Sequence, residues 1–273
     1  MKKIVILTGS ELRHTFIRKA IALDSNIEVL KSYCEGNEQS LKTQTLQEKN
    51  AESLEVKHLN ARSRSENDFF EIFVSLTPEE SNPITIRKGE INDDEIVMEI
   101  IQMSPDLIIA YGCSIIKEPL LKAFGGRFVN IHLGLSPYYR GSGTNFWPLV
   151  NDEVDCVGVT FMHIDAGIDT GEIIHQVRAR VFEGDTPHQI GNRLIGDIAQ
   201  VIRNLIVRFD DLVKMEQLPT PKDAKLYRNS DFSKESVQKL YKNFDAGIVQ
   251  KYLLKKETTK VEIIENPVLR VLD

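Results

Sequence analysis

The sequence predicts an α/β fold: a doubly wound, mostly parallel sheet with a small C-terminal extension. Three observations predict it. Short β-branched runs, apolar almost throughout, such as residues 3–8 (KIVILT) and 107–112 (LIIAYG), recur with helical spacing between them, the pattern of parallel strands buried on both faces. Several runs end in Gly or polar residues, at the edge where open α/β sheets hold ligands. The 273 residues, 41% hydrophobic and 27% charged, suffice for one large domain, or a domain of about 200 residues plus an appendage, without a disulfide or metal staple.

Residues 3–8 and the turn Gly9-Ser10 precede apolar positions at Leu12, Phe16, Ile17 and Ile21, which suits strand, turn and helix. Residues 27–33 read as a second strand. From 35 to about 65 the chain is polar, with Leu41, Leu46 and Leu54 sparse, and predicts an exposed helical insertion. Residues 69–74 predict a buried helix, and 92–103 an amphipathic helix started by Asn-Asp-Asp. Strands follow at 106–112 and 127–132. Residues 157–164 and 172–182 alternate like strands across the loop 165–171 (DAGIDTG). Thr186 as N-cap and Pro187 at the first helical position open a helix to about 209. After 218–221 (LPTP) the chain turns Lys-rich and ends in a candidate strand pair, 260–264 and 268–272. The boundary falls near 215, giving a catalytic domain 1–215 and an extension 216–273. No internal repeat is visible.

Forty acidic against thirty-four basic residues give a formal charge of −6, the wrong sign for a protein held to a polyanion by counterion release. Nucleic acid is disfavoured as a partner, although a local basic patch remains open. Cys34, Cys113 and Cys156 are widely spaced with no C-x-x-C pair and read as reduced thiols. No segment approaches the ~18 apolar residues of a membrane span, and the apolar run after Lys2-Lys3 is too short for a signal peptide. These absences point to a cytoplasmic chain with no membrane partner.

Three features converge on one edge of the inferred sheet: Asn130-x-His132, the loop 133–144 (LGLSPYYRGSGT), and Asp169. Residues i and i+2 of a strand share a side, so Asn130 and His132 face one pocket. An amide that donates to an oxyanion and an imidazole that exchanges a proton suit acyl transfer, with a carboxylate to orient the imidazole. Taken singly, a strand-end His is more often structural, Asn after a strand commonly forms a turn, and Asp before Thr-Gly makes an Asx turn. Spacing alone leaves the function open.

Residues 128–141 (FVNIHLGLSPYYRG), followed by 158–174 (GVTFMHIDAGIDTGEII), resemble the formyltransferases that use 10-formyltetrahydrofolate. That family includes glycinamide ribonucleotide, methionyl-tRNA and amino-sugar formyltransferases. The Asn-x-His, Pro-x-x-Arg-Gly and Asp-x-Gly-x-Asp-Thr-Gly motifs occur in order, and the likeness spans residues 1 to about 210. It implies a Rossmann-like formyltransferase fold and a catalytic set of Asn130, His132 and Asp169. An amine would attack the formyl carbon directly, with Asn130 on the oxyanion and His132, polarised by Asp169, moving the proton.

It also implies that the pterin of the formyl donor lies against Ile109, Ala110, Tyr111, Gly112 and Ile115 and the backbone of Asp165, Ala166, Gly167 and Ile168. Asp165 ranks second to Asp169 and more naturally shapes its loop; plain core is the competing view for Ile115 and Ile116. No metal is expected.

For the acceptor, the first turn has a single Gly and an acidic residue, a poor phosphate cradle for the glycinamide ribonucleotide branch, and the tail is short for the tRNA branch. A UDP- or dTDP-linked amino sugar of surface-polysaccharide or nonulosonate biosynthesis remains, and 138–147 (YYRGSGTNFW) resembles the aromatic loop of sugar formyltransferases. Candidate contacts are Ser10, Arg13, His14, Arg140, Gly141, Thr144 and Asn145; Trp147 is weighted toward core, and Arg62 and Arg64 toward a solvated loop. Where the family usually carries Ser-Leu-Leu-Pro, this chain has Gly134-Leu135-Ser136-Pro137, a departure that touches the loop and not the trio. A non-catalytic folate-binding module stays an alternative. The tail either docks on the catalytic part or forms a homodimer surface, and its balanced charge does not choose.

Overall fold

The computed structural model describes residues 1–165, 167–258 and 261–269. In chain order the elements are β1 (Lys2–Gly9), α1 (Leu12–Ala22), β2 (Ile27–Glu35), α2 (Leu41–Glu48), α3 (Leu54–Leu76), β3 (Pro83–Ile86), α4 (Asp94–Met103), β4 (Leu107–Tyr111), α5 (Glu118–Ala123) and β5 (Phe128–His132). Then come β6 (Tyr139–Gly141), α6 (Trp147–Val150), β7 (Gly158–Met162), β8 (Ile173–Arg178), α7 (Pro187–Val207), β9 (Lys225–Tyr227), α8 (Lys234–Asp245) and α9 (Ile248–Lys255).

The main sheet has seven strands in the order β3-β2-β1-β4-β5-β7-β8. The first five run parallel; β7 is antiparallel to β5 and to β8. Alternation along β1 sends Ile4 and Ile6 into one core with α1, α3 and α7, and Val5 and Leu7 into a second core with α4 and α5. Both faces are covered, which is why the strands read as unbroken apolar runs. Gly9, Glu35, Tyr111 and His132 end their strands at one edge of the sheet, as parallel pairing requires.

Several expectations are corrected. The polar stretch 35–65 is an exposed helical segment only in its first half, where α2 buries Thr45 alone; from its Ser53 cap on, α3 runs 23 residues and buries Val56, His58, Leu59, Glu66 and Phe70 against its neighbours. Its polar buried residues are matched by partners, and this hid the helical period. The expected buried helix at 69–74 is the end of α3, with Phe70 buried but Phe69 and Ile72 exposed. The edge strand β3 was not anticipated; it is four residues long and begins with Pro83. In the tail, 261–266 form no strand of their own, Pro267–Leu269 is a single 3₁₀ turn, and Lys260 and 270–272 lie outside the described residues.

The chain after 215 packs back on the rest. Gln217 brackets the edge of β8, its Oε1 accepting from the Ile173 amide (2.7 Å) and its Nε2 donating to the Ile173 carbonyl (3.0 Å). β9 pairs in parallel with β6 inside the 133–144 loop, and Tyr227 stacks on Trp147 at 4.2 Å between ring centroids. The Ile264 carbonyl accepts from the Gln176 amide.

Candidate active site

A cleft of about 590 Å³ opens at the carboxyl edge of the sheet. Strand β5 carries Asn130 and His132 on one side, and the loop after β7 brings Asp169 to both. Asp169 Oδ1 lies 3.4 Å from Asn130 Nδ2 and 3.3 Å from His132 Nδ1, while Oδ2 accepts from the Gly141 amide at 2.8 Å. Asp169 stands at φ 51°, a left-handed conformation that Asp tolerates better than most residues. The second expected aspartate shapes the loop: Asp165 Oδ1 accepts from the Gly167 amide and the Thr170 hydroxyl. An Asx turn is thus made by Asp165, and Asp169 keeps its carboxylate for the cleft.

Both nitrogens of His132 face oxygen, Nδ1 toward Asp169 and Nε2 toward the Tyr139 carbonyl at 3.1 Å. A ring with one N–H donates to one of them; carrying a second proton, it donates to both. Gly134 makes room for this ring. A Cβ there would stand 2.5 Å from His132 Nε2 and 2.7 Å from Thr144 Cβ, so the departure from serine at this position fits the turn of the imidazole. A buried polar knot holds the turn: Thr160 Oγ1 donates to the Gly134 carbonyl and accepts from the Ser136 amide and Gln176 Nε2. Sequence reasoning missed both residues, although a Thr and a Gln inside buried apolar strands were a legible signal.

The expected donor wall divides. Ala110, Tyr111, Gly112, Ile115, Asp165, Gly167 and Ile168 line the cleft; Ile109 is fully buried in the sheet, and Ala166 lies outside the described residues. Ile115 is 73% exposed while Ile116 is 5% exposed, so Ile115 is free to touch a ligand and Ile116 is core. Ile115 and Ile168, exposed on two segments lining the cleft, are apolar surfaces suited to a flat ring. Glu35, unforeseen from sequence, anchors this wall. It is fully buried and accepts from the amides of Gly89 (2.7 Å) and Ser114 (2.7 Å) and from Lys88 Nζ (2.8 Å). Burial and the Glu35 charge push the Cys113 thiol up to about 12, leaving it unreactive.

Among the expected acceptor contacts, Arg13, His14, Gly141, Thr144 and Asn145 line the cleft, whereas Ser10 does not and donates to Oδ1 of Asn37, which does. Arg140 is not among the lining residues, and its Nε is buried without a hydrogen-bond partner among the described residues. Arg13 and Arg62 pair with Glu66 and Glu11; Arg62 therefore belongs to a charge cluster on α3 and not to a solvated loop, while Arg64 is exposed. Burial pushes the Glu66 carboxyl up, but the two guanidiniums outweigh it and hold the carboxyl below its usual range. His14 is buried with Nδ1 accepting from the Glu11 amide; burial, with the Arg13 charge second, drives its pKa well down, so it is a neutral ring. Trp147 is buried and its indole donates to the Ser142 carbonyl, in keeping with the core view.

A mostly parallel sheet whose carboxyl edge carries Asn-x-His and an aspartate loop defines a class. Residues 2–204 match the family model described as formyl transferase, and the chain belongs to that family. Methionyl-tRNA formyltransferase of Acetivibrio thermocellus is 28% identical over 150 residues, 54% of this chain and 47% of that protein; this chain spans about half the length of that relative or less. A sugar N-formyltransferase structure from Shewanella sp FDAARGOS_354 superposes with a TM-score of 0.54 at 18% identity, covering 85% of this chain and 78% of that one. Phosphoribosylglycinamide formyltransferase of Anaplasma phagocytophilum superposes at 0.54 and 16%, covering 83% and 98%. At these identities the superpositions speak to fold. Among the described residues no helix is long and apolar enough to cross a membrane, and no group of three or more His, Cys, Asp or Glu gathers to hold a metal.

Proposed function

We propose that the chain is an N-formyltransferase that moves the formyl group of 10-formyltetrahydrofolate to the primary amine of a nucleotide-linked amino sugar. The observation that carries the reading is the meeting of Asn130, His132 and Asp169 around one carboxylate oxygen in a cleft with apolar walls. The amine lone pair attacks the formyl carbon, a C–N bond forms, and the carbonyl oxygen becomes an oxyanion. Asn130 Nδ2 carries two hydrogens. One points to Asp169 and the other is free for the oxyanion, a contribution of about 3 kcal/mol. Collapse breaks the bond to the folate nitrogen, and the proton lost by the amine ends there. With Nε2 turned to the Tyr139 carbonyl, His132 exchanges that proton on its Nδ1 side, beside Asp169, a role worth roughly 10²–10⁴-fold.

An acceptor on a tRNA is the second reading, favoured by the methionyl-tRNA formyltransferase relative. Against it stands the charge of −6. The test is direct: incubation with 10-formyltetrahydrofolate and a panel of UDP- and dTDP-amino sugars, beside charged initiator tRNA, followed by mass spectrometry. A formyl group gained by a nucleotide sugar supports the first reading. Formylation of the tRNA alone replaces it with the second, and folate binding with no transfer favours the non-catalytic module.

A further inference from the structure

Past the trio the cleft runs between α3, the first turn of α7 and the tail. His58 lies 4.7 Å from His188, 5.3 Å from Phe146 and 6.0 Å from Phe232 between ring centroids, and its Nδ1 is 3.1 Å from the Tyr241 hydroxyl. Beside these rings, His188 Nε2 and Asn145 Oδ1 are buried with no hydrogen-bond partner among the described residues. A buried polar atom left unpaired costs about 1–3 kcal/mol, and two flanking one stretch of cleft mark what a ligand completes.

The two atoms belong to neighbouring segments. A Cβ on Gly191, three residues after His188, would stand 3.9 Å from Asn145 Nδ2. Asn145 follows Thr144, and a Cβ on Gly134 would touch both Thr144 and the His132 ring. The compartment and the His132 imidazole therefore belong to one continuous cleft. Its two imidazoles are uncharged near neutral pH, burial holding His188 down at about 4 and His58 at about 3, and the neighbouring Arg62 already donates to Glu66 and Glu11.

We propose that this compartment binds the acceptor's ring, through a hydroxyl or acylamino group that completes His188 Nε2 and Asn145 Oδ1, while Phe146 and the tail's Phe232, packed on each other at 5.5 Å between ring centroids, form one apolar wall beside it. The assignment rests on the amino-sugar reading above and goes beyond it by naming α7 and the tail as specificity elements. His188 and Asn145 are binding residues, with no part in the proton transfer.

Trp147 is the sole tryptophan, lines the cleft and sits 5.0 Å from the Phe146 ring, so its emission reports on the compartment. N-acetylglucosamine and UDP-N-acetylglucosamine are titrated into the intact protein, its His188→Phe variant, which keeps a ring but removes the nitrogens, and Asn145→Ala. The proposal predicts saturable emission changes in the wild type, weakened roughly ten-fold in either variant, the scale of one lost hydrogen bond to a neutral group, with tetrahydrofolate affinity unchanged. Absence of binding by both probes, or equal affinity in wild type and both variants, overturns it. Sugar binding that depends on these residues, with no formyl transfer to any amino sugar, leaves the compartment standing and removes the amino-sugar function instead.

Discussion

Asp169 is the residue on which the site turns, because one carboxylate positions an amide, an imidazole and a backbone N–H at once. Replacing it with Asn keeps the volume and removes the charge. Formyl transfer should fall by roughly 10²-fold or more with circular dichroism unchanged; a variant with wild-type kcat removes Asp169 from the proposed role. Gly134 makes a complementary prediction. Gly134→Ala places a methyl group against His132 and Thr144 and should lower kcat at least ten-fold or so, the cost of misplacing a proton-transfer group, while tetrahydrofolate still binds.

The buried histidines set a pH dependence. His14, His58 and His188 all have depressed pKa values, chiefly from burial, so the folded chain withholds protons that the unfolded chain takes up below about 6.5. Stability is therefore intact above that pH and declines as pH falls through the window between it and the depressed values, by up to about 1.4 kcal/mol per unit for each ring. Urea midpoints at pH 7 and pH 5 check this. His58→Gln should show a shallower loss, and equal wild-type midpoints at the two pH values contradict it.

Among the elements, β1, β4 and β5 were legible because burial on both faces leaves uninterrupted apolar runs, and α7 was legible because Thr186 caps it and Pro187 opens it; Gln189 closes a capping box that the sequence reading did not use. Helix α3 was not. Its inward face carries Glu55, His58 and Glu66, and two of these have partners far away in sequence: Arg13 for Glu66, beside the nearby Arg62, and Tyr241 for His58. Periodicity counts apolar residues and is blind to polar groups satisfied by tertiary contacts. The meeting of Asn130, His132 and Asp169 was legible from strand alternation plus motif. Glu35 was not, because its role depends on loops after β3 and β4 arriving at the end of β2. Glu35→Ala leaves two amides and Lys88 without their acceptor and should destabilise the fold by about 2–4 kcal/mol in urea titrations. It should also weaken tetrahydrofolate binding, since Ser114 anchors the segment bearing Ile115; unchanged folate affinity would separate Glu35 from the donor wall.

At the scale of the molecule, the tail contributes to the same cleft as the sheet. Tyr227 lies between Trp147 and Tyr139 in a stack, with its hydroxyl accepting from Asn151, and Phe232 reaches the aromatic compartment. Tyr227→Ala should cost about 3–5 kcal/mol if this stack is part of the cooperative fold and shift Trp147 emission. A loss under about 1 kcal/mol, near the level of a surface change, would mark the tail as an independent appendage.

The measurement closest to the centre compares wild type with His132→Gln for transfer of a labelled formyl group from 10-formyltetrahydrofolate to an amino-sugar amine, alongside tetrahydrofolate affinity. Transfer by the wild type, lost roughly 10²-fold or more in the variant at equal folate affinity, is the predicted result. Equal rates in the two proteins would contradict it.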